Sequence, residues 1–413
     1  MRVLEFSECY PNEYEPFSGE FIRQHLIHFS KYANINAIVP LRYVPPKELF
    51  SLNPFKNLSK ISKWVKVLNR TKDIRQKNLE VINLRYFSLP RPYFDYQDLF
   101  LFRKLFFKRI KKLLGNKKID LIYCHWFRPG ILLCKKLSEH YNVPLVLDHH
   151  EDIRSLNKAF PEKYYKIFKL FELADKIVVH SEQNRQVLIE EAAKQGLNLP
   201  EVLKIYLGQN FIVNNKDKEF SKDDLKLICV SHLTHARKRI EMLIKAVSLI
   251  KNNSYFKKKL SLKIVGDGAL RNQYEKLADE LLLNNNVEFV GGKNHSEIEE
   301  LLEESDLFIL PSDYEPFGVV FIEALSKGVP VVTCKGNGGG EELANLGGGV
   351  ELVVPNSESE LSKKIIELGN DHEKLMTMSK VGKDIVRENF TWDKNALSTY
   401  KTFKEIIASY KPI

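Results

Sequence analysis

"SDYEPFGVVFIEALSKGVPVV", residues 312–332, is an almost continuous apolar run that contains one carboxylate, Glu323, and has another, Glu315, near its start. The segment before it, DLFILPS, predicts a buried strand, and VPVV at its end predicts the next strand. Between the two strands we expect a helix that begins near Gly318 and ends near Gly328, a residue suited to a helix C-cap. Short apolar strands that alternate with helices are typical of a parallel sheet covered on both faces.

The start of this helix predicts an anion-binding site. A helix N-terminus offers unpaired amides and the positive end of a dipole, and a glycine lets a ligand approach the backbone closely. A diphosphate could rest on the amides of Phe317, Gly318 and Val319. A buried Glu323 without a partner would cost several kcal/mol, and a ribose with two hydroxyls would satisfy it. The alternative is that Glu323 pairs with a neighbouring lysine while Glu315 is solvated.

The alternation of strands and helices runs through both halves of the chain. The strand signals of the first half are RVLEF, LIYCHW, VPLVLDHH and KIVVHS, and LKLICVSHL restarts the pattern after the charged segment 214–224. A chain of 413 residues is too long for one ordinary core. We therefore predict an α/β protein with two doubly wound, Rossmann-like parallel-sheet domains. Ligands bind beyond the carboxyl ends of such strands, so the two domains are expected to face a shared cleft.

The composition excludes several classes of protein. Five cysteines are scattered without a CxxC pair, which indicates reduced thiols and neither a disulfide framework nor a zinc site. No run approaches the roughly 18 apolar residues of a membrane span, and the first residues lack a basic segment followed by a long apolar one. We therefore expect no membrane span, no secretory leader and a cytoplasmic location.

The net charge of +10 is concentrated in two runs of the first half. Residues 51–78 contain eight basic residues and one acid, and residues 102–118 contain eight basic residues and no acid. Apolar side chains are interleaved, among them Trp64, Phe106 and Phe107. Each run is either a solvated helix face whose apolar stripe lies in the core, or a basic amphipathic surface that contacts anionic lipid. Nucleic acid is the least favoured partner, because no nucleic-acid motif accompanies the charge.

The stretch 311–332 resembles the signature of the retaining glycosyltransferases of family four, also called glycosyl transferases group 1. Its Pro-Ser, Glu-Pro-Phe-Gly, Glu-Ala and Gly-x-Pro-Val elements occur in the order of that signature. The resemblance implies that Glu315 lies beside the transferred sugar as a catalytic residue and that Glu323 holds the nucleotide ribose. It also implies the GT-B fold with three parts: an acceptor-binding domain over residues 1–210, a nucleotide-sugar-binding domain over residues 211–390, and a C-terminal helix over residues 391–413 that returns to the first domain.

The same resemblance assigns residues to the donor diphosphate. VSHLTHARKRIEMLIKAV, residues 230–247, resembles the family segment in which an arginine and a lysine bind that group. Lys238 takes the lysine position. His232 stands where the arginine is usual, so Arg237 is expected to take over the phosphate.

Three further donor contacts follow from the resemblance. IVGDGALRNQY, which contains Gly266, resembles the loop that closes over the donor. VEFVGGKN, with Val290 at its centre, resembles the strand end whose backbone contacts the nucleobase. The opening loop of the first domain resembles a loop that places a glycine, here Gly19, near the donor phosphates.

VPLVLDHHEDI, residues 143–153, resembles the strand end that carries a histidine near the reacting sugar. Counting from Pro144 selects His150 as this catalytic residue, and counting back from Asp152 selects His149; we favour His150. His125 is a further candidate at the predicted cleft. The alternative is that these histidines are structural, as single histidines at strand ends commonly are.

The implied reaction moves a sugar from a nucleotide-sugar donor to an acceptor hydroxyl, with retention of the anomeric configuration. Positive groups would stabilise the leaving diphosphate, and no Asp-x-Asp ends an apolar strand, so we expect neither a metal nor another cofactor. The expected acceptor is a glycan or a lipid-linked molecule, in cell-surface polysaccharide or lipopolysaccharide synthesis by a peripheral membrane enzyme. A catalytically silent GT-B module that binds a glycan or a partner is the main alternative, and an epimerase or phosphorylase on the same scaffold is another.

Overall fold

The computed structural model describes residues 1–12, 19–43, 54–86, 95–127, 130–151, 153–154, 164–213, 216–315 and 317–411, without the side chains of 54–56 and 95–102. Contacts divide the chain into two compact units. The first comprises Met1–His180, Arg185–Gly208 and Trp392–Ile413, and the second comprises Ser181–Asn184 and Gln209–Thr391. The sequence predicts breaks after residues 210 and 390, and the units break at Gly208 and Thr391.

The first unit contains an eight-stranded sheet. In chain order its strands are β1 (Arg2–Phe6), β2 (Asn34–Arg42), β3 (Ile74–Arg75), β4 (Leu79–Tyr86), β5 (Leu121–His125), β6 (Leu145–Asp148), β7 (Lys176–Val179) and β8 (Val202–Lys204). Their order in space is β3-β4-β2-β1-β5-β6-β7-β8. The short edge strand β3 runs antiparallel to β4, and the other pairs are parallel. The order reverses direction between β1 and β5, which is where doubly wound sheets bind ligands.

Helices cover both faces of this sheet. They are α1 (Glu20–Phe29), α2 (Pro54–Arg70), α3 (Asp95–Leu114), α4 (Ile131–Tyr141), α5 (Tyr164–Phe171), α6 (Glu182–Lys194) and, at the end of the chain, α14 (Trp392–Ser409). Val3 and Leu4 are neighbours on β1 but belong to different hydrophobic cores. Successive side chains of a strand point to opposite faces, so each face of the sheet has a core of its own.

Helix α14 belongs to the first unit although it ends the chain. Its Phe403 is fully buried and packs edge-on against Phe29 of α1 and Tyr123 of β5, with ring centroids 5.7 and 4.9 Å apart. At its start, the backbone passes so close to Gly208 that a Cβ there would lie 2.5 Å from the ring of Trp392. The helix is therefore part of the first core.

The second unit contains a six-stranded sheet in which every pair is parallel. Its strands are β9 (Asp224–Val230), β10 (Lys259–Val265), β11 (Val287–Gly291), β12 (Leu307–Leu310), β13 (Val331–Cys334) and β14 (Val350–Val353). Their order in space is β11-β10-β9-β12-β13-β14, so β12 lies between β9 and β13. The prediction of two doubly wound parallel-sheet domains is confirmed, while the way in which they face each other stays a prediction.

The helices of the second unit begin at side chains suited to that place. Asn294 and Glu297 form a capping box at the first turn of α9, and the side chains of Ser357 and Asp371 cap α12 and α13. The helices are α7 (Ile240–Lys251), preceded by a 3₁₀ turn (Ala236–Lys238), α8 (Arg271–Glu280), α9 (His295–Glu303), α10 (Val319–Ser326), α11 (Gly339–Asn345), α12 (Glu358–Asn370) and α13 (His372–Asn389). Of the helices in the described ranges, none is both long enough and apolar enough to cross a membrane.

Replacing Phe403 by alanine tests the contribution of the returning helix. The substitution removes a fully buried ring from the first core, so we expect the free energy of unfolding to fall by about 3–5 kcal/mol. Urea denaturation of the two proteins measures the difference. Lys401→Ala, at an exposed position of the same helix, serves as the control and should change the free energy little. A loss below about 1 kcal/mol in Phe403→Ala would show that the helix is not part of this core.

Candidate active site

The backbone of Glu315 is bonded on one side to the glycine loop that follows β13. The Glu315 amide donates to the carbonyl of Asn337 at 2.7 Å, and the Gly339 amide donates to the Glu315 carbonyl at 3.1 Å. A Cβ on Gly339 would lie 1.7 Å from the carbonyl oxygen of Phe317, so only glycine allows the two loops to approach this closely. On this side, main-chain contacts hold the backbone at the predicted catalytic acid.

The side chain of Glu315 forms an ion pair with Lys238. Both side chains are largely buried. Arg237, the residue before this lysine, donates from its guanidinium to the carbonyl of Tyr314 at 2.9 Å. The structure therefore brings together the predicted catalytic acid and both predicted phosphate cations. Pro316 lies outside the described residues.

His232, which stands in the arginine position of the family, lies just beyond the end of β9 and is exposed. Its ring makes no hydrogen bond or ion pair within the described ranges of the chain. Arg237, by contrast, is engaged with the loop that carries Glu315. Of these two residues, only Arg237 has a side-chain contact with the loop that carries Glu315 in the described ranges.

The first turn of α10 has the features predicted for an anion site. Gly318 caps it in a left-handed conformation, with φ 73° and ψ 59°, and its carbonyl accepts the amide of Phe321 at 2.9 Å. The amides of Val319 and Val320 lie in the first turn, where a helix has no internal acceptor for them. Phe317 is buried directly before the cap. These amides are available to a ligand with negatively charged oxygens.

Glu323, one turn further along α10, is a buried carboxyl with an exposed fraction of 8%. No hydrogen bond or ion pair reaches this carboxyl from the described residues. The nearest lysine in the sequence, Lys327, pairs instead with Glu299 and Glu303 of α9. Burial raises the pKa of Glu323 from 4.5 to about 8, so the carboxyl holds its proton at neutral pH. The alternative in which a neighbouring lysine satisfies Glu323 does not occur in this structure.

The predicted donor loops meet at the same edge of the sheet. Gly266 follows β10 with φ 136°, and a Cβ there would lie 1.9 Å from the carbonyl oxygen of Ser231 after β9. The Gly266 amide donates to the carbonyl of Gly291 at 2.9 Å, which ties the loop to the end of β11. Val290 is the last but one residue of β11 and is half-buried. The loops after β9, β10 and β11 therefore form one continuous edge.

In the first unit, His150 lies two residues beyond β6 and is mostly buried. Its Nε2 lies 3.3 Å from Nδ1 of His125 and 3.2 Å from Oδ2 of Asp148, and its Nδ1 lies 2.8 Å from Nε2 of His180. Both ring nitrogens therefore have partners within the protein. Burial is the main cause that lowers the pKa of His150, to about 4, so the imidazole is neutral.

His125, the last residue of β5, lies between two buried carboxylates. Its Nε2 is 3.1 Å from Glu5 and its Nδ1 is 3.2 Å from Asp148. Burial lowers the pKa of His125, but hydrogen bonds to Asp148 and Glu5 outweigh it and raise the pKa to about 9. Burial also opposes ionisation of Asp148, yet the histidines around it, with hydrogen bonds from His150 and His125, hold the pKa of that carboxyl well below its usual value. The cluster thus contains its own counter-charges.

His149 occupies a different environment from its neighbour. Its ring is fully buried and packs edge-on against Phe171, with centroids 5.1 Å apart. Neither ring nitrogen has a hydrogen-bond partner in the described part of the chain, and burial lowers the pKa of His149 to about 3. The geometry places His149 in the apolar core and only His150 at the edge of the sheet. Asp152, the reference for counting toward His149, lies outside the described residues.

Gly19 is the N-cap of α1, with φ 73°. A Cβ at this position would lie 2.4 Å from the carbonyl carbon and oxygen of Cys9, so the close approach of two loops requires glycine. Residues 13–18, which complete this predicted loop, lie outside the described residues.

Two groups of described residues hold possible metal ligands close together: Glu5, His25 and His125, and His125, Asp148 and His150. In the second group the His125 and His150 rings are nearly coplanar, at 21°, with centroids 5.6 Å apart and facing nitrogens 3.3 Å apart. That in-line arrangement is typical of an N–H···N hydrogen bond. The expectation that no metal takes part stays a prediction.

Glu5, His25, Asp148 and His180 were not singled out by the sequence patterns, although they complete this cluster. They come from β1, α1, the end of β6 and the residue after β7. The sequence pattern that indicates such a residue is a carboxylate within a mostly apolar strand, such as Glu5 in RVLEF. Glu323 shows the same pattern within its apolar helix.

Two family models match the chain. The model described as "Glycosyl transferases group 1" matches residues 211–384, and the model described as "Glycosyltransferase Family 4" matches residues 65–194. The chain belongs to the family-four glycosyltransferases. The family predicted from the Glu315–Glu323 signature is thereby confirmed, and with it glycosyltransferase activity in general terms.

Relatives of this glycosyltransferase agree with that assignment. Two uncharacterized glycosyltransferases of Methanocaldococcus jannaschii are each 26% identical to it, one over 72% of this chain and 78% of the relative, the other over 79% and 86%. Among solved structures, sucrose-phosphate synthase from Thermosynechococcus elongatus has a TM-score of 0.73 at 19% identity and covers 99% of this chain and 100% of its own. The Anabaena protein HepE, in complex with UDP, has a TM-score of 0.67 at 21% identity, with 98% and 100% covered. The predicted GT-B fold is confirmed.

Replacing Glu323 by glutamine tests the cause of the raised pKa. Between the unfolded pKa near 4.5 and the folded value of about 8, the folded protein binds the proton more tightly, so its stability falls as pH rises. We expect Glu323→Gln to gain stability over the wild type by up to about 1 kcal/mol per pH unit from pH 5 to 8, and no more above pH 8. Urea denaturation at each pH measures this.

Glu280→Gln, at an exposed position of α8, is the matched control and should show no pH-dependent difference from the wild type. A constant difference between Glu323→Gln and the wild type from pH 5 to 8 would contradict the raised pKa.

Proposed function

We propose that this glycosyltransferase moves a sugar from a nucleotide-diphosphate donor to an acceptor hydroxyl with retention of configuration. The observation that carries the proposal is the buried Glu323 carboxyl, which has no partner in the described chain and lies one turn from the open amides of Val319 and Val320. A ligand that combines hydroxyls with anionic oxygens suits this combination. A nucleotide donor is also supported by the Anabaena HepE structures, which contain UDP, UDP-glucose, or UDP and glucose.

Donor binding would use three kinds of group. The open amides of α10, together with Lys238 and Arg237, would contact the diphosphate, and Glu323 would accept hydrogen bonds from two ribose hydroxyls. Hydrogen bonds to a carboxylate favour its charged form, so Glu323 would lose its proton as the ribose binds. The loops that contain Gly266 and Val290 would enclose the nucleoside. The same cations would then stabilise the charge that develops on the leaving diphosphate.

Glu315 would face the transferred sugar. Its carboxylate would stabilise the positive charge that develops on the sugar ring as the bond to the diphosphate breaks. Lys238 pairs with this carboxylate in the structure and would also contact the diphosphate, so it would link the two sites. Lys238 would thus hold Glu315 at a fixed distance from the leaving diphosphate.

We assign removal of the acceptor proton to the leaving diphosphate. Both ring nitrogens of His150 have protein partners, so this histidine has no free lone pair for a substrate hydroxyl in the observed arrangement. A phosphate oxygen that takes the proton on the face from which it leaves is consistent with retention. The positive groups needed for this chemistry belong to the chain, so the proposal needs neither a metal nor another cofactor. His150 would then shape the sugar site and would not act as the base.

Part of the basic sequence in the first unit forms an amphipathic surface. On α3, the exposed residues Lys104, Lys108 and Lys112 form one row, and Leu105, Arg109 and Leu113 form the next row, also exposed. Trp64 and Phe106 are buried in the core and Phe107 is half-buried, so of these three aromatic side chains only Phe107 reaches the surface. Residues 51–53, the start of the first basic run, lie outside the described residues.

We propose that this α3 surface contacts the anionic face of a membrane. Exposed leucines beside a row of lysines combine apolar burial with attraction to anionic headgroups. A lipid-linked acceptor, in polysaccharide or lipopolysaccharide synthesis at the inner face of the cell membrane, would bring such a surface into use.

Replacing Glu315 by glutamine tests the proposed reaction. A thermal-shift screen of UDP-, GDP- and other sugar nucleotides first identifies the donor by the largest rise in Tm. With that donor, we expect Glu315→Gln to lower nucleoside diphosphate release by about 10²–10⁴-fold, because the carboxylate charge is lost. Its Tm should change little, because the side-chain oxygen of the glutamine can still accept a hydrogen bond from Lys238.

Glu304→Gln, at an exposed position, controls for loss of a carboxylate elsewhere in the second unit. Near-normal release by Glu315→Gln would remove this residue from the mechanism. If no sugar nucleotide raises the Tm of the wild type, the catalytically silent module is the better description.

Flotation with liposomes tests the membrane surface. At low ionic strength we expect the protein to float with vesicles that contain anionic lipid and to be released by salt, because the attraction is electrostatic. The triple variant Lys104→Glu, Lys108→Glu, Lys112→Glu should lose this binding. A matched triple variant, Lys257→Glu, Lys363→Glu, Lys380→Glu, reverses three exposed charges of the second unit and should retain it. Failure of the wild type to float at low salt would contradict the proposal.

A further inference from the structure

Arg239 has a backbone conformation that favours glycine. It lies between the 3₁₀ turn and α7 with φ 54° and ψ 37°, in the left-handed region. Its amide donates to the carbonyl of Ala236 at 2.9 Å, and its own carbonyl accepts the amide of Met242 at 3.0 Å. The turn into the helix therefore requires this conformation. A residue with a Cβ adopts it at a cost that glycine avoids, so the presence of arginine calls for an explanation in its side chain.

The side chain of Arg239 binds Asp313 and has a second, longer contact of 3.6 Å with Glu241 in the first turn of α7. Its Nε lies 2.8 Å from Oδ1 of that aspartate, and the two side chains are 33% and 39% exposed. An ion pair this exposed to solvent contributes little to the free energy of folding. The stability that the pair adds therefore does not explain why a non-glycine residue occupies this strained position. The pair can instead fix the position of Asp313 relative to Arg239.

The Arg239–Asp313 pair completes a set of contacts between two short segments. The Asp313 amide donates to the carbonyl of Arg237, and the guanidinium of Arg237 donates to the carbonyl of Tyr314, at 2.8 and 2.9 Å. Lys238 pairs with Glu315 at the far end of the set. Each residue of 237–239 thus contacts the segment 313–315. Of these contacts, only the pair with Asp313 joins two side chains that have no predicted contact with the donor.

We propose that Arg239 is a positioning residue that holds Asp313 and thereby keeps Glu315 against Lys238. The expected effect on catalysis rests on the role proposed above for Glu315. The expected effect on the mobility of residues 313–315 does not depend on that role. An imprecisely placed carboxylate would still let the donor bind but would stabilise the developing charge less well. Removing the Arg239 side chain should therefore lower kcat more than it changes KM.

Arg239→Gly separates the effect of the backbone conformation of Arg239 from the effect of its side chain. Glycine relieves the left-handed strain and removes the guanidinium, so the Tm should stay unchanged or rise while the loop loses a contact. We expect hydrogen exchange at the amides of Asp313, Glu315 and Gly339 to become at least about tenfold faster, because these amides bond within the held loop. Exchange within α7 should not change. This measurement needs no substrate.

Turnover with the donor from the thermal-shift screen provides the second measurement. We expect Arg239→Gly and Asp313→Asn each to lower kcat by about tenfold with a small change in KM, and the double variant to lose no more than either single one. Arg239→Lys should recover part of the loss, because it restores the charge without the planar fork. Leu282→Gly is the matched control, since Leu282 also has a left-handed backbone, φ 57°, but an exposed side chain. It should leave exchange in the loop and turnover unchanged.

Wild-type exchange rates in the loop of Arg239→Gly would overturn the proposal, whatever the activity. So would a fall in its Tm with faster exchange throughout the unit, because that pattern indicates a merely structural role. If Arg239→Gly loosens the loop while Glu315→Gln retains normal activity, the positioning of the loop stands and the proposed role of Glu315 fails.

Discussion

The candidate site depends on how the loop that carries Glu315 is held between its two neighbours. Strand β12 lies between β9 and β13, so the loop that follows it is flanked by the loops that follow those strands. On one side the backbone of Glu315 bonds to the glycine loop, and on the other its side chain pairs with Lys238. Parallel strands all end at one edge of the sheet, which lets three loops distant in sequence meet at a single carboxylate.

The second constraint is the burial of a carboxyl without a partner in the described residues. Glu323 lies in a helix whose other buried residues, apart from Ser326, are apolar, and Lys327, four residues further on, is paired with acids of another helix. Burial therefore keeps Glu323 protonated at neutral pH, which is a cost to the unliganded protein at higher pH. A ligand with hydroxyls would remove that cost. The feature that weakens the fold is thus the feature that suits a ribose.

The first unit also buries carboxylates, but there a buried histidine neutralises their charge. Neighbouring strands β1, β5 and β6 bring Glu5, His125 and Asp148 together, and the imidazolium of His125 lies between the two carboxylates. His150 is part of this network through both of its ring nitrogens. A histidine at a strand end can therefore be close to a substrate site and still not be available as a base. This arrangement is the reason to assign proton transfer to the leaving diphosphate.

The sequence by itself determined the alternation of strands and helices, the buried helix after Glu315, its glycine cap and the family signature. These features are local, because residue spacing and turn residues report directly on short segments. Only the tertiary structure decided that Lys238 pairs with Glu315 and that His150 lies at the edge while His149 lies in the core. It also decided that Trp64 and Phe106 point inward. Spacing along one strand or helix shows which residues share a face, but not which distant segment that face meets. The partners of a buried charge are therefore set by the order of strands in the sheet.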